Sequence, residues 1–129
     1  MRAIVIDDSR AMRVILRRLL EGHGFQEVLE AENGQVALDV LAEQETAPNL
    51  ALVDWNMPVM DGLQFIMTAR KTPALREMTL MMVTTESEQE QIVRALASGA
   101  HEYVIKPFNA EGIGEKLALL GLVPIGVAS

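Results

Sequence analysis

Four short, uninterrupted apolar runs constrain the fold of this 129-residue chain more than any other feature. They are AIVI (3–6), LALV (50–53), LMMV (80–83) and YVI (103–105). Because the apolar residues are continuous rather than alternating, each run predicts a strand that is covered on both faces, as in a parallel sheet. A weaker fifth strand, EVLEA (27–31), is predicted at the edge of the sheet.

Apolar residues at helical spacing fill the segments between these runs. The first predicted helix follows Ser9, and its core-facing stripe consists of Met12, Ile15, Leu16 and Leu19. The solvent-facing side is expected to carry Arg13, Arg17 and Arg18. Later helices are expected around Leu41, Ile66, Ala95 and Leu117. Strand and helix therefore alternate five times, which predicts right-handed crossovers and one parallel sheet with helices on both faces.

The length of the chain fits one domain with a substantial core. We expect residues 1–121 to form that domain and residues 122–129 to be a loose or lightly docked tail. No apolar run is long enough to span a membrane, and the N-terminus becomes acidic too soon for a signal peptide. The absence of cysteine excludes disulfides and thiolate metal sites. A cytoplasmic protein without membrane contact is the simplest expectation.

The charge balance is acidic, with 18 acidic and 11 basic residues and a net charge of −7. Clustered Lys and Arg supply the affinity of proteins for duplex phosphates, so nucleic acid is not expected as a direct partner. One local acidic run, ESEQE (86–90), is interpreted as the solvated start of the fourth helix.

Each main strand ends on residues that can do chemistry: Asp7 and Asp8, Asp54, Thr84 and Thr85, and Lys106. In open parallel sheets, ligands bind beyond the carboxyl ends of the strands, where the strand order reverses. If the first and third strands are neighbours there, the three acids meet. An aspartate after a strand can also simply cap the next helix, and that alternative stays open for any single strand. It weakens when four strands show the same pattern.

Three carboxylates in one crevice repel each other strongly, so either some of them are protonated or a cation lies among them. Without His or Cys at these positions, an all-oxygen site favours Mg²⁺. Lys106 supplies a positive charge suited to phosphate, and Thr84 supplies a hydroxyl donor, although strand propensity alone also accounts for a threonine there. These groups suit phosphoryl transfer. Asp54 is the candidate nucleophile, forming an acyl phosphate, while Asp7 and Asp8 hold the metal.

Five motifs occur together in order: IDDS, LVDWNMPVMDG, VTTE, SGA and YVIKPF. With them the chain resembles the CheY-like receiver domains of two-component response regulators, up to about Leu120. The resemblance implies a flavodoxin-like α/β fold with strand order 2-1-3-4-5, an order for which these proteins are themselves an established example. It also implies a monomeric signalling switch in a phosphorelay, with chemotaxis as one setting, rather than a turnover enzyme.

The resemblance assigns the acceptor and the metal ligands. Asp54 is implied as the phosphoacceptor. Asp8, Asp54 and the backbone carbonyl of Asn56 are implied as Mg²⁺ ligands, and Asp7 acts partly through metal-bound water. Asn56 and Glu86 flank the path of an attacking water and tune the stability of the phosphoryl group, and their identities suggest a short-lived state.

The resemblance also implies how the signal is passed on. Lys106 and Thr84 would contact the phosphoryl oxygens. Thr84 and Tyr103 would form the switch pair, in which the hydroxyl moves towards the phosphate and the ring turns inward. A cis bond is implied between Lys106 and Pro107. Phe108 is interpreted as an ordinary packing or surface aromatic.

Three further side chains are interpreted by position alone. Trp55 is predicted to be a partly exposed neighbour of the acceptor. His23 and His101 are predicted to be ordinary surface histidines, because they lie in loop-like positions away from the acids.

The implied partners are a sensor histidine kinase and an effector protein that reads the face formed by the fourth helix, fifth strand and fifth helix. The acidic start of that helix leaves the identity of the effector open. Two alternatives remain. A phosphohydrolase of the haloacid dehalogenase type needs a second aspartate where this chain has Asn56, which counts against it. A degenerate receiver that only binds partners is opposed by the intact set Asp7, Asp8, Asp54, Thr84 and Lys106.

Overall fold

The computed structural model describes residues 1–122, and in this part of the chain strands and helices alternate strictly. The strands are β1 (Arg2–Ile6), β2 (Glu27–Ala31), β3 (Leu50–Val53), β4 (Thr79–Thr84) and β5 (Glu102–Ile105). The helices are α1 (Arg10–Gly22), α2 (Gly34–Ala42), α3 (Gly62–Lys71), α4 (Gln89–Ser98) and α5 (Ala110–Leu119), with a short 3-10 helix at Pro73–Leu75. Of the predicted tail, residues 123–129 lie outside the described part.

The five strands form one sheet in the order β2-β1-β3-β4-β5, and all neighbours are parallel. The predicted fold class is confirmed, including the edge position of β2. In the register of the central pair, Ile6 lies opposite Val53, so the residues that follow these two strands emerge side by side. Thr84 lies opposite Ile105 in the same way, one residue before Lys106.

Each strand contributes to two apolar clusters, one on each face of the sheet. Ile6 and Val53 belong to the cluster that α2, α3 and α4 cover, with Phe65 as its largest fully buried side chain. Val5 and Leu52 belong to the cluster that α1 and α5 cover. Because successive strand residues point to opposite faces, both faces need apolar residues, and this accounts for the continuous apolar runs.

The predicted stripe of α1 is wrong at one position. Ile15 is 51% exposed, whereas Leu16 and Leu20 are fully buried and Met12 and Leu19 are partly buried. At 3.6 residues per turn, Ile15 lies about 100° around the helix from Leu16, which is the flank that faces water. The buried stripe is therefore narrower on that side than apolar spacing alone predicts.

Side-chain caps fix where the helices near the acidic residues begin. Ser9 Oγ accepts a hydrogen bond from the Met12 amide at 3.2 Å and caps α1. Asp61 and Gln64 form a reciprocal capping box at the start of α3.

Among residues 1–122, no helix combines the length and apolar character that crossing a bilayer requires.

Candidate metal and phosphoryl site

The three predicted acids meet at the carboxyl edge of the sheet. One carboxylate oxygen each from Asp7, Asp8 and Asp54 lie within 4.8 Å of one another. Asp7 is buried, Asp54 is partly buried and Asp8 is exposed. The cluster therefore has a closed side at Asp7 and an open side at Asp8, through which a solvated ion can enter.

Neither Asp7 nor Asp8 caps the first helix, because Ser9 is the N-cap of α1. Asp7 Oδ1 instead accepts a hydrogen bond from the Ser9 amide at 2.9 Å. Its other oxygen, Oδ2, lies 2.9 Å from Lys106 Nζ. The alternative interpretation of this acidic pair as a simple helix cap is therefore excluded, and both carboxylates are available to the site.

Asp54 is held by the sheet on one side and by α3 on the other. Its amide donates to the Ile6 carbonyl at 2.9 Å, and its Oδ1 accepts from the Trp55 amide at 2.7 Å. A Cβ added to Gly62 would lie only 2.1 Å from the Asp54 carbonyl oxygen, so only glycine lets α3 begin this close to the strand end. Gly62 also donates its amide to the Trp55 carbonyl at 2.8 Å.

Lys106 joins two of the acids from the end of β5. Its Nζ lies 2.9 Å from Asp7 Oδ2 and 3.3 Å from Asp54 Oδ2. Burial alone would lower the pKa of Lys106, but the hydrogen bonds and negative charges of Asp7 and Asp54 outweigh it, so the pKa is raised. Lys106 is therefore a cation at neutral pH. The predicted cis bond between Lys106 and Pro107 is confirmed.

The donor set of this cluster fits a hard divalent cation. Three carboxylates and one ammonium leave an excess of about two negative charges when all four groups are ionised. Carboxylate oxygens are the ligands that Mg²⁺ prefers, usually a few of them with water completing the coordination. The exposed side at Asp8 leaves room for such waters.

Glu86 connects several of the residues around Asp54. Its side-chain Oε1 accepts from Asn56 Nδ2 at 2.6 Å, and its carbonyl accepts from the Tyr103 hydroxyl at 2.7 Å. Its amide lies 3.4 Å from the buried Thr84 Oγ1, a long hydrogen bond. Tyr103 is already packed inside in this structure. Burial, with the charges of Glu86 and Asp54, raises the pKa of Tyr103 to about 12, so its hydroxyl stays a donor.

A sequence model of the response regulator receiver domain matches residues 3–118. This chain belongs to that family. The receiver domain is 39% identical over 117 residues to a chemotaxis protein CheY homolog of Campylobacter jejuni, covering 91% of this chain and 89% of that protein. It is 35% identical over 120 residues to chemotaxis protein CheY1 of Helicobacter pylori, covering 93% and 96%.

Solved structures show the same likeness. The chemotaxis protein CheY4 of Vibrio cholerae superposes on the receiver domain with a TM-score of 0.82 at 30% identity, covering 92% of this chain and 96% of that one. A CheY-like receiver domain protein of Methanospirillum hungatei also gives 0.82 at 30% identity, covering 92% and 91%. The receiver domain is therefore a component of two-component signalling, and its Campylobacter and Helicobacter relatives are chemotaxis proteins.

The prediction for Trp55 is wrong. The sequence position favours a partly exposed side chain, but only 8% of the residue is accessible in the receiver domain. It belongs to the same apolar cluster as Met57 and Leu63. Its backbone also lies against the start of α3, because the Gly62 amide donates to the Trp55 carbonyl at 2.8 Å.

The predicted surface position of His101 is confirmed, but its structural role was not predicted. Its Nδ1 accepts from the Leu80 amide at 3.0 Å and lies 3.0 Å from Arg70 Nη2. The His23 ring makes one hydrogen bond, between Nε2 and the Ala110 carbonyl at 3.1 Å. Phe108 is partly buried against the cluster under α1 and α5, which confirms its interpretation as a packing residue.

The prediction for one residue beside the site is wrong. Arg13, expected on the solvent side of α1, donates from Nη1 to the backbone carbonyl of Asp7 at 2.6 Å. A signal for this is present in the sequence, because Arg13 lies about 60° around the helix from the buried Leu16, closer than Ile15 does. Because the side chain is charged, apolar spacing alone assigns it to the solvent-facing side.

Proposed function

We propose that this receiver domain is a phosphorylation-dependent switch, in which Asp54 accepts a phosphoryl group from a sensor histidine kinase in a Mg²⁺-dependent reaction. One observation carries the proposal. Asp54 shares the carboxyl edge of the sheet with two further carboxylates and a lysine ammonium, within 4.8 Å and 3.3 Å respectively. That combination provides a nucleophile, a cation site and a phosphate-binding charge in one place.

The transfer itself needs little from the protein beyond position and charge. A carboxylate oxygen of Asp54 forms the new bond to phosphorus, while the bond from phosphorus to the donor breaks and its electron pair leaves with the donor. Mg²⁺, held by Asp7, Asp8 and Asp54 with the Asn56 carbonyl, would neutralise charge on the carboxylates and phosphoryl oxygens. Lys106 lies 3.3 Å from Asp54 Oδ2 and needs only a small displacement to pair with a phosphoryl oxygen instead.

The hydroxyl of Thr84 is the first element of the switch. Its long contact with the Glu86 amide is weak, so the hydroxyl can turn to donate to a phosphoryl oxygen at small cost. Glu86 carries the change onward, because its carbonyl holds the Tyr103 hydroxyl. Phosphorylation would thereby favour one arrangement of the β4–α4 segment over another.

The partner is proposed to read the face formed by α4, β5 and α5. Exposed apolar side chains on this face support the proposal: Val93, Leu96, Ile105 and Leu119. A groove beside them runs between β5 and α5, and Phe108 and Lys116 are among its lining residues. Apolar patches of this kind are typical of protein interaction sites. We propose that the receiver domain acts in the cytoplasm as a monomer, in a chemotaxis pathway.

The proposal is tested by intact mass measurement after incubation with acetyl phosphate or phosphoramidate and Mg²⁺. We expect the wild-type protein to gain one phosphoryl group and Asp54→Asn to gain none. Asp39→Asn, which changes an exposed acid on α2, is the matched control and should behave as wild type. Chelation of Mg²⁺ with EDTA should abolish the gain.

The proposal fails if the wild-type protein gains no phosphoryl group, or if Asp54→Asn gains one equally well. A phosphate-ester turnover assay tests the hydrolase alternative at the same time. We expect no sustained turnover, because the position that would need an acid holds Asn56, and its amide already donates to Glu86.

A further inference from the structure

Arg13 connects α1 to the backbone of the acidic site. Its Nη1 donates to the Asp7 carbonyl at 2.6 Å, and its Nε donates to Glu30 Oε1 at 3.2 Å. The side chain is only 15% exposed. A guanidinium carries its donors in a fixed plane, so two simultaneous contacts define the orientation of the group.

The Asp7 carbonyl lies just beyond the end of β1. The Asp7 amide still pairs with the Ala31 carbonyl of the neighbouring segment at 3.1 Å, as a strand residue would. The Asp7 carbonyl, in contrast, accepts its hydrogen bond from the Arg13 side chain rather than from a neighbouring strand. A hydrogen bond from a charged donor is stronger than one from a neutral donor, so this contact fixes the peptide that carries the buried acid.

Glu30 on β2 holds the guanidinium in place from the other side. Its second oxygen, Oε2, pairs with Arg17 Nη2 at 2.8 Å, and the same Arg17 nitrogen donates to the Val28 carbonyl at 3.0 Å. The carboxylate is therefore fixed by two arginines. Arg17 shares this network with Arg13 but does not contact Asp7, which makes it a natural comparison.

We propose that Arg13 is a positioning residue for the cation site. It holds the backbone of Asp7 so that the buried carboxylate keeps the orientation that Lys106 and a divalent cation both require. The inference rests on the proposed function, since it assumes that the acids bind Mg²⁺. Groups that orient metal ligands without touching the metal commonly change its affinity by about 10 to 100-fold when they are removed.

Charge and positioning make opposite predictions for this residue. If Arg13 acted only through its charge, its removal would strengthen cation binding, because a nearby positive charge repels Mg²⁺. If it acts by holding Asp7, its removal weakens binding, because the carboxylate is no longer fixed. The direction of the change therefore separates the two roles.

The first experiment measures Mg²⁺ affinity by titration calorimetry on folded variants. We expect Arg13→Ala to weaken Mg²⁺ binding about tenfold. Arg13→Lys keeps the charge but cannot bond to the Asp7 carbonyl and Glu30 at the same time, so its Mg²⁺ affinity should fall about threefold. Arg17→Ala is the matched control and should stay within about twofold of wild type.

A second experiment needs no metal. The Ser9 amide donates to Asp7 Oδ1, so its NMR chemical shift reports on the orientation of that carboxylate. In the Mg²⁺-free protein, we expect this signal to shift or broaden in Arg13→Ala and to remain in place in Arg17→Ala. If Arg13→Ala does not fold, the same two measurements are made on Glu30→Gln, which keeps the side-chain volume of Glu30. We expect its loss of Mg²⁺ affinity to lie between those of Arg17→Ala and Arg13→Ala.

The inference is overturned if Arg13→Ala binds Mg²⁺ as tightly as wild type or more tightly, or if Arg17→Ala loses as much. It is also overturned if the Ser9 signal is unchanged in Arg13→Ala. Failure of the proposed function looks different. The wild-type protein would then bind no Mg²⁺ or accept no phosphoryl group, while the Ser9 signal would still report whether Arg13 orients Asp7.

Discussion

Val59, in the loop between β3 and α3, has a backbone φ of 71° and is 82% exposed. This left-handed conformation is unfavourable for β-branched residues and better tolerated by asparagine. We expect Val59→Asn to raise the free energy of unfolding by about 1 kcal/mol, because the strain is relieved and little apolar burial is lost. Urea denaturation at neutral pH measures the change.

Val93 provides the matched control for that substitution. It is also an exposed valine, at 56%, but it lies in the regular backbone of α4. Val93→Asn should give no gain in stability, because no strain is present to relieve. If Val59→Asn lowers the free energy of unfolding, the loop conformation at this residue is held by a favourable contact of the valine side chain.

His101 makes the stability of the fold depend on pH. The Leu80 amide and Arg70 both donate to its Nδ1, so that nitrogen carries no proton. Burial and then the charge of Arg70 lower the pKa of His101 below its usual value of 6.5, and the negative charge of Glu77 in turn acts on Arg70. The unfolded chain therefore binds a proton more readily than the folded one, and the folded state loses stability as pH falls below about 6.5.

The measurement compares the free energy of unfolding at about pH 7.5 and about pH 5.5. We expect a fall in the wild-type protein that is smaller in His101→Asn, because the asparagine Oδ1 can still accept from the Leu80 amide but does not titrate. His23→Asn changes the other histidine as a control. If it reduced the pH dependence as much as His101→Asn does, the assignment to His101 would be wrong.

The sequence predicts where the charged residues of the site lie, but it does not predict burial that depends on packing between distant segments. Asp7, Asp8, Asp54 and Lys106 were predictable because acids and an amine that directly follow buried apolar strands rarely serve packing alone. The burial of Trp55 was not, because it depends on a cluster that includes residues distant in the sequence, such as Phe65 and Leu80. The residues next to Trp55 in the sequence do not indicate that packing.

Gly62 shows how closely one helix depends on a strand. A Cβ there would lie 2.1 Å from the Asp54 carbonyl oxygen, which is backbone and cannot move away without displacing β3. We expect Gly62→Ala to lower the free energy of unfolding by about 3 kcal/mol or more and to weaken Mg²⁺ binding. Chemical denaturation and calorimetry measure the two effects.

Gly22 is the matched control, because it also lies in a helix but has no atom within 4 Å of an added Cβ. Gly22→Ala should raise the free energy of unfolding by about 0.5 to 1 kcal/mol, since alanine loses less backbone freedom on folding. If both alanine variants changed stability equally, the close approach at Gly62 would not be the cause.

The inner strands were predictable at the level of elements, because a strand that is buried on both faces needs a continuous apolar run, whereas β2 has only the weaker pattern EVLEA of a half-exposed edge strand. The helices were predictable in number, but the width of their buried faces was not. Ile15, Met67 and Leu96 have the apolar spacing of core residues, yet each is more than 40% exposed. Spacing gives the direction of a stripe, while the sheet beneath it decides how wide the buried part is.

The stability of the whole molecule should depend on Mg²⁺, because the folded state assembles acids that the unfolded chain keeps apart. At about one hundred times the dissociation constant, bound Mg²⁺ would raise the free energy of unfolding by about 2.7 kcal/mol. Lys106→Gln removes the ammonium from Asp7 and Asp54 and should cost on the order of 3 kcal/mol without Mg²⁺. Mg²⁺ should therefore raise the free energy of unfolding of Lys106→Gln by more than it raises that of the wild-type protein.

Thermal or urea unfolding at several Mg²⁺ concentrations measures both effects. Lys71→Gln, which changes an exposed lysine at the end of α3, should stay within about 0.5 kcal/mol of wild type at every concentration. The interpretation fails if Mg²⁺ leaves the unfolding of the wild-type protein unchanged, or if Lys106→Gln responds to the cation no more than wild type does.

Glu86 divides its contacts between two chemically different parts of one residue. Its side chain accepts a hydrogen bond from Asn56 near Asp54, whereas its main-chain carbonyl accepts one from Tyr103. A substitution replaces the first contact but leaves a carbonyl in place for the second. Under the proposed function, selection can therefore alter the duration of a signal at this position without altering how strongly the signal is expressed.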